Sequence, residues 1–170
     1  MTVTFVLGGA RSGKSRYAES LVTALPPPWV FVATAEIHDE EMRRRIAEHR
    51  ARRSEGWHTI EAPVDIVGAL RLAPPGVPVL IDCLTLWLSN MILGDYDVAA
   101  SIEELARALG ERNSPVAVVS NELGLGIVPD NQLARHFRDE HGRMNQRIAE
   151  AAATVVFMVA GLPMTVKVTA

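Results

Sequence analysis

One cysteine, Cys83, stands in 170 residues, so no disulfide can form within the chain and a reducing compartment is the natural setting. A small, buried, apolar role is the ordinary one for such a residue. Surplus positive charge is also missing. The formal net charge is −3, which argues against a general nucleic-acid binder, since that class carries a basic excess. No basic stretch leads into an apolar run and a small-residue cleavage site at the N-terminus, so no signal peptide is expected. Nor is there a long uninterrupted hydrophobic run. The longest, 77–93, is broken by Asp82, Ser89 and Asn90 and is better explained as a core strand followed by a helix than as a membrane span. Low-complexity tracts, internal repeats and linkers are absent too. What remains is a globular chain with 48% hydrophobic residues, most simply a single domain spanning residues 1–170 and expected in the cytoplasm.

What is present is organised around Gly8-Gly9-Ala10-Arg11-Ser12-Gly13-Lys14-Ser15. Residues 2–7 read as a short strand and 16–22 as the first turns of a helix, which is the setting a phosphate cradle requires. The pattern is G-x-x-x-x-G-K-[ST]. Glycines let the loop wrap so that backbone N–H groups face phosphate oxygens, and the helix start adds partial positive charge. In that pattern Lys14 reaches the β- and γ-phosphates and the Ser15 hydroxyl takes a position on Mg²⁺.

Farther along, Pro26-Pro27-Pro28 stops the first helix, because proline lacks the N–H and clashes with the preceding turn. A strand over 29–34 follows, apolar throughout as a buried parallel strand is. Its end, Ala33-Thr34-Ala35, is expected near the end of the first strand, on the edge where open α/β sheets bind ligands. Residues 39–53 read as a densely charged helix with Met42, Ile46, His49 and Arg53 on one face. From spacing alone His49 is a packing histidine or a functional one, and the arginines a solvated, ion-paired face or a phosphate-binding one. A strand over 56–61, a helix over 64–72 and a buried strand over 77–82 come next. Asp82 closes that last strand, as an aspartate closes the strand that delivers a carboxylate to Mg²⁺ or its water shell in P-loop enzymes. A helix-capping aspartate looks the same in isolation.

Helices over 84–93 and 98–112, a strand over 115–120, the loop 121–129 and a helix running to about 152 complete the pattern. Asp130 is the expected cap of that last helix, and Leu133, Phe137, Met144 and Ile148 its interior stripe. A strand over 154–159 and a short edge strand containing Lys167 finish the chain. Strands alternating with helices imply right-handed crossovers and a mainly parallel central sheet, a three-layer α/β fold of the P-loop NTPase type. The chemistry this supports is phosphoryl transfer with Mg²⁺. His49 adds a second candidate, because a neutral imidazole attacks phosphorus to give a phosphoramidate, and neighbouring guanidinium groups disfavour its protonation.

The segments GGARSGKS, VATA, the helix from Asp39 to Arg53, GWHTIE, LIDCLTLWLSN, VVSNELGLGIVP and ARHFRDEHGRMNQRIA together resemble the bifunctional adenosylcobinamide kinase/adenosylcobinamide-phosphate guanylyltransferase family of cobalamin biosynthesis. The resemblance covers practically the whole chain. It implies a RecA-like fold, a homotrimer, and two reactions. Adenosylcobinamide is phosphorylated from ATP or GTP, and GMP then passes from GTP to that phosphate through a GMP–histidine intermediate. Carried onto this chain, the nucleophile is His49, with His38, His58, His136 and His141 in the wrong contexts. Gly8 to Ser15, Ala33, Thr34, Ala35, Arg50, Ala51, Arg52, Arg53, Glu61 and Asp82 bind nucleotide, with Ser15 and Asp82 serving the metal. Ser54 stands where the family's proline is expected. The alternatives are a single-function kinase of another small metabolite, with His49 a packing residue, and a GTP-sensing module without chemistry.

Overall fold

The centre of the sheet is built from short strands that are apolar on both sides. The computed structural model describes residues 3–36 and 55–169. Among these, seven strands form one sheet: β1 (Val3–Gly8), β2 (Trp29–Ala33), β3 (Trp57–Glu61), β4 (Val79–Asp82), β5 (Val116–Asn121), β6 (Thr154–Val159) and β7 (Leu162–Val168). Their order across the sheet is β3-β2-β4-β5-β1-β6-β7, parallel throughout except for the antiparallel β6–β7 pair. Five described helices connect them: α1 (Lys14–Thr23), α2 (Ile66–Leu72), α3 (Leu84–Leu93), α4 (Val98–Glu111) and α5 (Gln132–Ala151). The helix expected over 39–53 lies outside the described residues.

Alternation along the strands divides the core between the two faces. Phe5, Val30, Val32, Val79, Ile81, Val116 and Val118 pack with residues of α2 to α5, whereas Val6, Phe31, Leu80, Ala117 and Val119 pack with Ala18 and Val22 of α1. On the second face Trp57 of the edge strand β3 stacks beside Trp29 and Phe31, at centroid distances of 5.5 and 6.2 Å. Helices on both faces of a parallel sheet explain why the central strands are apolar runs rather than alternating ones.

Most elements fall where the sequence places them, with differences at the ends. β4 starts at Val79 rather than Val77, because Pro78 has no N–H to give to the ladder and Val77 N instead closes a turn onto Pro74 O at 3.3 Å. The cap of α5 is Asn131, whose side chain accepts from Ala134 N at 2.7 Å, and not Asp130. Leu133 is 56% exposed and leaves the interior stripe, which Met144 and Ile148 do form. β7 is a full seven-residue strand. Its Lys167 ammonium donates to the carbonyls of Ala149, Glu150 and Ala152 at 2.7 to 2.9 Å, satisfying the C-terminus of α5 with a cation.

Candidate active site

The register of the parallel strands gathers the candidate residues on one edge. Gly8 lies opposite Asn121, Ala33 opposite both Asp82 and Glu61, and Asp82 opposite Val119. Gly8, Ala33, Glu61 and Asp82 therefore all end their strands at the carboxyl edge, where the first loop joins β1 to α1. Among the proposed nucleotide-binding residues, Gly8 to Ser15, Ala33 to Ala35, Glu61 and Asp82 share this edge. His49, Arg50, Ala51, Arg52 and Arg53 lie outside the described residues.

The loop itself is tightly bound to its surroundings. A Cβ on Gly8 would sit 2.7 Å from both Met158 O and Ser12 Oγ, so only glycine fits between β6 and the turn. Gly13, at φ 95°, takes the left-handed conformation that starts α1, and Tyr17 N closes the first helical bond onto Gly13 O at 3.0 Å. The N–H groups of the preceding first-turn residues lie ahead of that ladder and make the end of α1 electropositive. Outside ties come from two sides: Glu122 N donates to Gly8 O and Gly161 N to Ser12 O, each at 3.0 Å.

Lys14 is only 7% exposed, and its ammonium donates to Gly9 O at 2.6 Å, folded back over the loop. Burial lowers its pKa from the ordinary 10.5, while the Asp82 carboxylate works the other way. The end of β4 thus lies within electrostatic range of the lysine. Beside it, burial and the Asp82 carboxylate push the Cys83 thiol up to about 12, so this sulfur is a neutral packing group and not a nucleophile. Thr34 is fully buried. Its hydroxyl accepts from Cys83 N at 2.8 Å and donates to Cys83 O at 2.7 Å, and its carbonyl accepts from Asn90 Nδ2 at 2.9 Å. Thr34 accordingly joins the ends of β2 and β4, with its side chain committed to protein.

Ser12 Oγ is buried and has no hydrogen-bond partner among the described residues. A buried hydroxyl at the turn of a glycine-rich loop is suited to a phosphate oxygen. The metal donors at hand are oxygens only, the Ser15 hydroxyl in the first turn of α1 and the Asp82 carboxylate. Among the described residues no group of three or more His, Cys, Asp or Glu could hold a metal. That is the sparse, hard-oxygen arrangement that suits Mg²⁺ shared with substrate phosphates rather than a closed structural site.

Behind the end of β5 lies a polar network that sequence reasoning did not anticipate. His141 is 1% exposed, with Nε2 3.1 Å from Thr85 Oγ1 and 3.4 Å from Ser120 Oγ, and Nδ1 3.3 Å from Asn145 Nδ2. Ser120 Oγ donates to Asn145 Oδ1 at 2.8 Å, Asn145 Nδ2 to Asn121 O at 3.0 Å, and Asn121 N to Thr85 Oγ1 at 2.9 Å. Burial pulls the His141 pKa down to about 4, with Glu122 acting weakly against it. The network fixes both backbone polar groups of Asn121, the residue opposite Gly8.

Residues 4–166 match the family described as "Cobinamide kinase / cobinamide phosphate guanyltransferase". A curated relative from Pseudomonas aeruginosa, "Bifunctional adenosylcobalamin biosynthesis protein CobP", is 48% identical over 165 residues, covering 95% of each chain. A second from Salmonella typhimurium, "Bifunctional adenosylcobalamin biosynthesis protein CobU", is 39% identical over 95% of this chain and 98% of its own. Among solved structures, an ATPase from the type III secretion system of pathogenic bacteria aligns over 96% of this chain and 56% of its own, with a TM-score of 0.59 at 10% identity. That likeness concerns the fold, and it is the P-loop NTPase fold expected from the sequence.

Proposed function

Because this chain belongs to the cobinamide kinase / cobinamide phosphate guanyltransferase family, we propose that its carboxyl-edge site performs two successive transfers on adenosylcobinamide. In the first, the acceptor's side-chain hydroxyl oxygen attacks the γ-phosphorus of ATP or GTP. The bond to the β-phosphate oxygen breaks, the nucleoside diphosphate leaves and the hydroxyl proton is released. In the second, a neutral ring nitrogen of His49 attacks the α-phosphorus of GTP and pyrophosphate leaves. A phosphate oxygen of adenosylcobinamide phosphate then attacks that phosphorus, the P–N bond breaks, and adenosylcobinamide-GDP forms with His49 restored.

The observation that carries this reading is the convergence of Gly8 to Ser15 with Ala33, Glu61 and Asp82 on one sheet edge, in a chain matching the family from residue 4 to 166. Backbone N–H groups of the loop and the buried Ser12 hydroxyl supply preset positive potential where phosphate charge is held, and the Lys14 ammonium joins them by exchanging Gly9 O for a phosphate oxygen. Ala33, Thr34, Ala35, Arg50, Ala51, Arg52, Arg53 and Glu61 complete the nucleotide site in this reading. Mg²⁺, held by the Ser15 hydroxyl and by Asp82 through water, would supply further charge neutralisation on the phosphates. The working assembly is a homotrimer in the cytoplasm. Leu162, Met164, Val166 and Val168 of β7, each more than half exposed, support association, and no described helix is long and apolar enough to cross a membrane.

The test uses GTP labelled at the α-phosphate. The protein is expected to retain label after denaturation as an acid-labile, base-stable adduct that His49→Ala abolishes, and to phosphorylate adenosylcobinamide from ATP. Phosphorylation without an adduct would reduce the protein to a kinase. Tight GTP binding with neither product would make it a nucleotide-binding module.

A further inference from the structure

Beyond β5 the chain carries a run of aliphatic side chains in solvent. Leu123, Leu125, Ile127, Val128 and Leu133 are 37, 84, 96, 61 and 56% exposed. Single exposed leucines are ordinary, but several together on one short segment mark a surface that something covers. No charged side chain interrupts 123–129.

This segment is held at both ends. At its start Glu122 N donates to Gly8 O at 3.0 Å, and Gly124 N donates back to Glu122 Oε1 at 2.5 Å. At its far end Arg135 Nη1 donates to Pro129 O at 2.9 Å and to Asp130 O at 2.7 Å. The apolar run therefore begins in direct backbone contact with the first residue of the phosphate loop. It leaves β5 at the carboxyl edge that carries the phosphate loop.

We propose that the aliphatic run from Leu123 to Val128 seats the corrin ring of the acceptor and presents the acceptor's hydroxyl-bearing side chain to the nucleotide held on Gly8 to Ser15. This rests on the kinase reading given above. A corrin macrocycle offers a broad, methyl-edged face with neutral amides at its rim and no anionic group that would call for a cation on the protein. An uncharged aliphatic ledge matches that face, whereas a charged surface would leave polar groups desolvated against it. The tie from Glu122 N to Gly8 O sets the ledge beside the phosphate cradle, so one ligand's ring and the other's phosphates lie on adjoining surfaces.

The test is the double variant Leu125→Ser/Ile127→Ser, at two positions exposed enough that folding does not depend on them. Steady-state phosphorylation of adenosylcobinamide is measured at saturating ATP, with ATP affinity and sedimentation measured in parallel. Removing two aliphatic contacts is expected to raise KM for adenosylcobinamide about tenfold, with kcat, ATP affinity and oligomer size unchanged. An unchanged KM overturns the proposal. A smaller oligomer whose KM rises only to the extent that it dissociates also overturns it, and assigns the ledge to contacts between copies of the chain. Absence of cobinamide phosphate with the unmodified protein is the distinct outcome that sinks the kinase reading and the proposal with it.

Discussion

Acid should weaken this protein through one histidine. The neighbours of His141 define its proton. Asn145 Nδ2 has two hydrogens, one for Asn121 O and one for His141 Nδ1, while Ser120 Oγ donates to Asn145 Oδ1. Nδ1 is thereby an acceptor, and the ring proton sits on Nε2, directed at Thr85 Oγ1. Adding a second proton at Nδ1 would set two donors face to face inside a group 1% exposed to water. Burial is the main reason the folded pKa falls to about 4 from the ordinary 6.5, against a small opposing effect of Glu122.

A histidine with a depressed pKa contributes stability that is present above the unfolded value and lost as pH falls toward the folded one, because the unfolded chain takes up the proton first. At about 1.4 kcal/mol per pH unit, the interval from 6.5 to about 4 costs on the order of 3 kcal/mol. The measurement is urea unfolding at pH 7 and at intervals to pH 4, for the unmodified protein and His141→Gln. Carboxylates titrate in both proteins, so the difference between the two curves isolates the histidine. The variant is expected to be less stable at pH 7 and to lose about 3 kcal/mol less on acidification. Following the ring proton by NMR adds a second reading, with one resonance titrating near 4 that is missing from the variant. Parallel stability curves, or five histidines all titrating near 6.5, would refute the argument.

Gly8→Ala forces a Cβ to 2.7 Å from the Met158 carbonyl oxygen, which the sheet holds in place, so a loss of about 1–3 kcal/mol and a Tm lower by several degrees are expected in thermal unfolding. Asn131→Ala removes the side-chain acceptor for Ala134 N and should cost about 1 kcal/mol, whereas Asp130→Ala should stay within about 0.5 kcal/mol. The opposite order in urea unfolding would return the cap of α5 to Asp130.

The parts of the fold legible in the sequence are those whose signal is local. β2, β4 and β5 announce themselves because strands covered on both faces are apolar until their carboxyl ends, and the cradle is legible because its eight residues are contiguous. Helical spacing identifies a face but not how far along it the core extends. Met144 and Ile148 reach the core, whereas Leu133, in the first turn of α5, projects beyond it. Asp130 and Asn131 are both competent caps, and only the path of the backbone selects between them. β7 lacks any burial alternation, every position but Lys167 being exposed, so its length could not be read. The network around His141 was hidden for a different reason. It is closed by Thr85, Ser120 and Asn145, and the contact of His141 with Thr85 spans 56 positions of chain, with no motif linking them.

The ties on the phosphate loop bear on how one edge can serve two reactions. Gly8 O is held from Glu122 N, Ser12 O from Gly161 N, and Gly9 O by the Lys14 ammonium, while Met158 leaves no room beside Gly8. Sliding this loop from a terminal phosphate to an inner one would break several of these bonds at about 1 kcal/mol each, and would leave carbonyls unpaired that cost more. A cradle fixed in this way grips the triphosphate in one manner. The kinase step then needs only an acceptor brought in over the γ-phosphate, and the ledge after β5, tied to Gly8 O through Glu122 N, is the surface proposed to bring it. On the proposed reading, the guanylyl step needs a nucleophile at the α-phosphate, two phosphorus atoms inward from the one attacked in the kinase step. In that reading a covalent relay through a histidine would carry GMP from the fixed phosphate site to the acceptor. On the proposed reading, whatever adjusts between the two reactions lies outside Gly8 to Ser15.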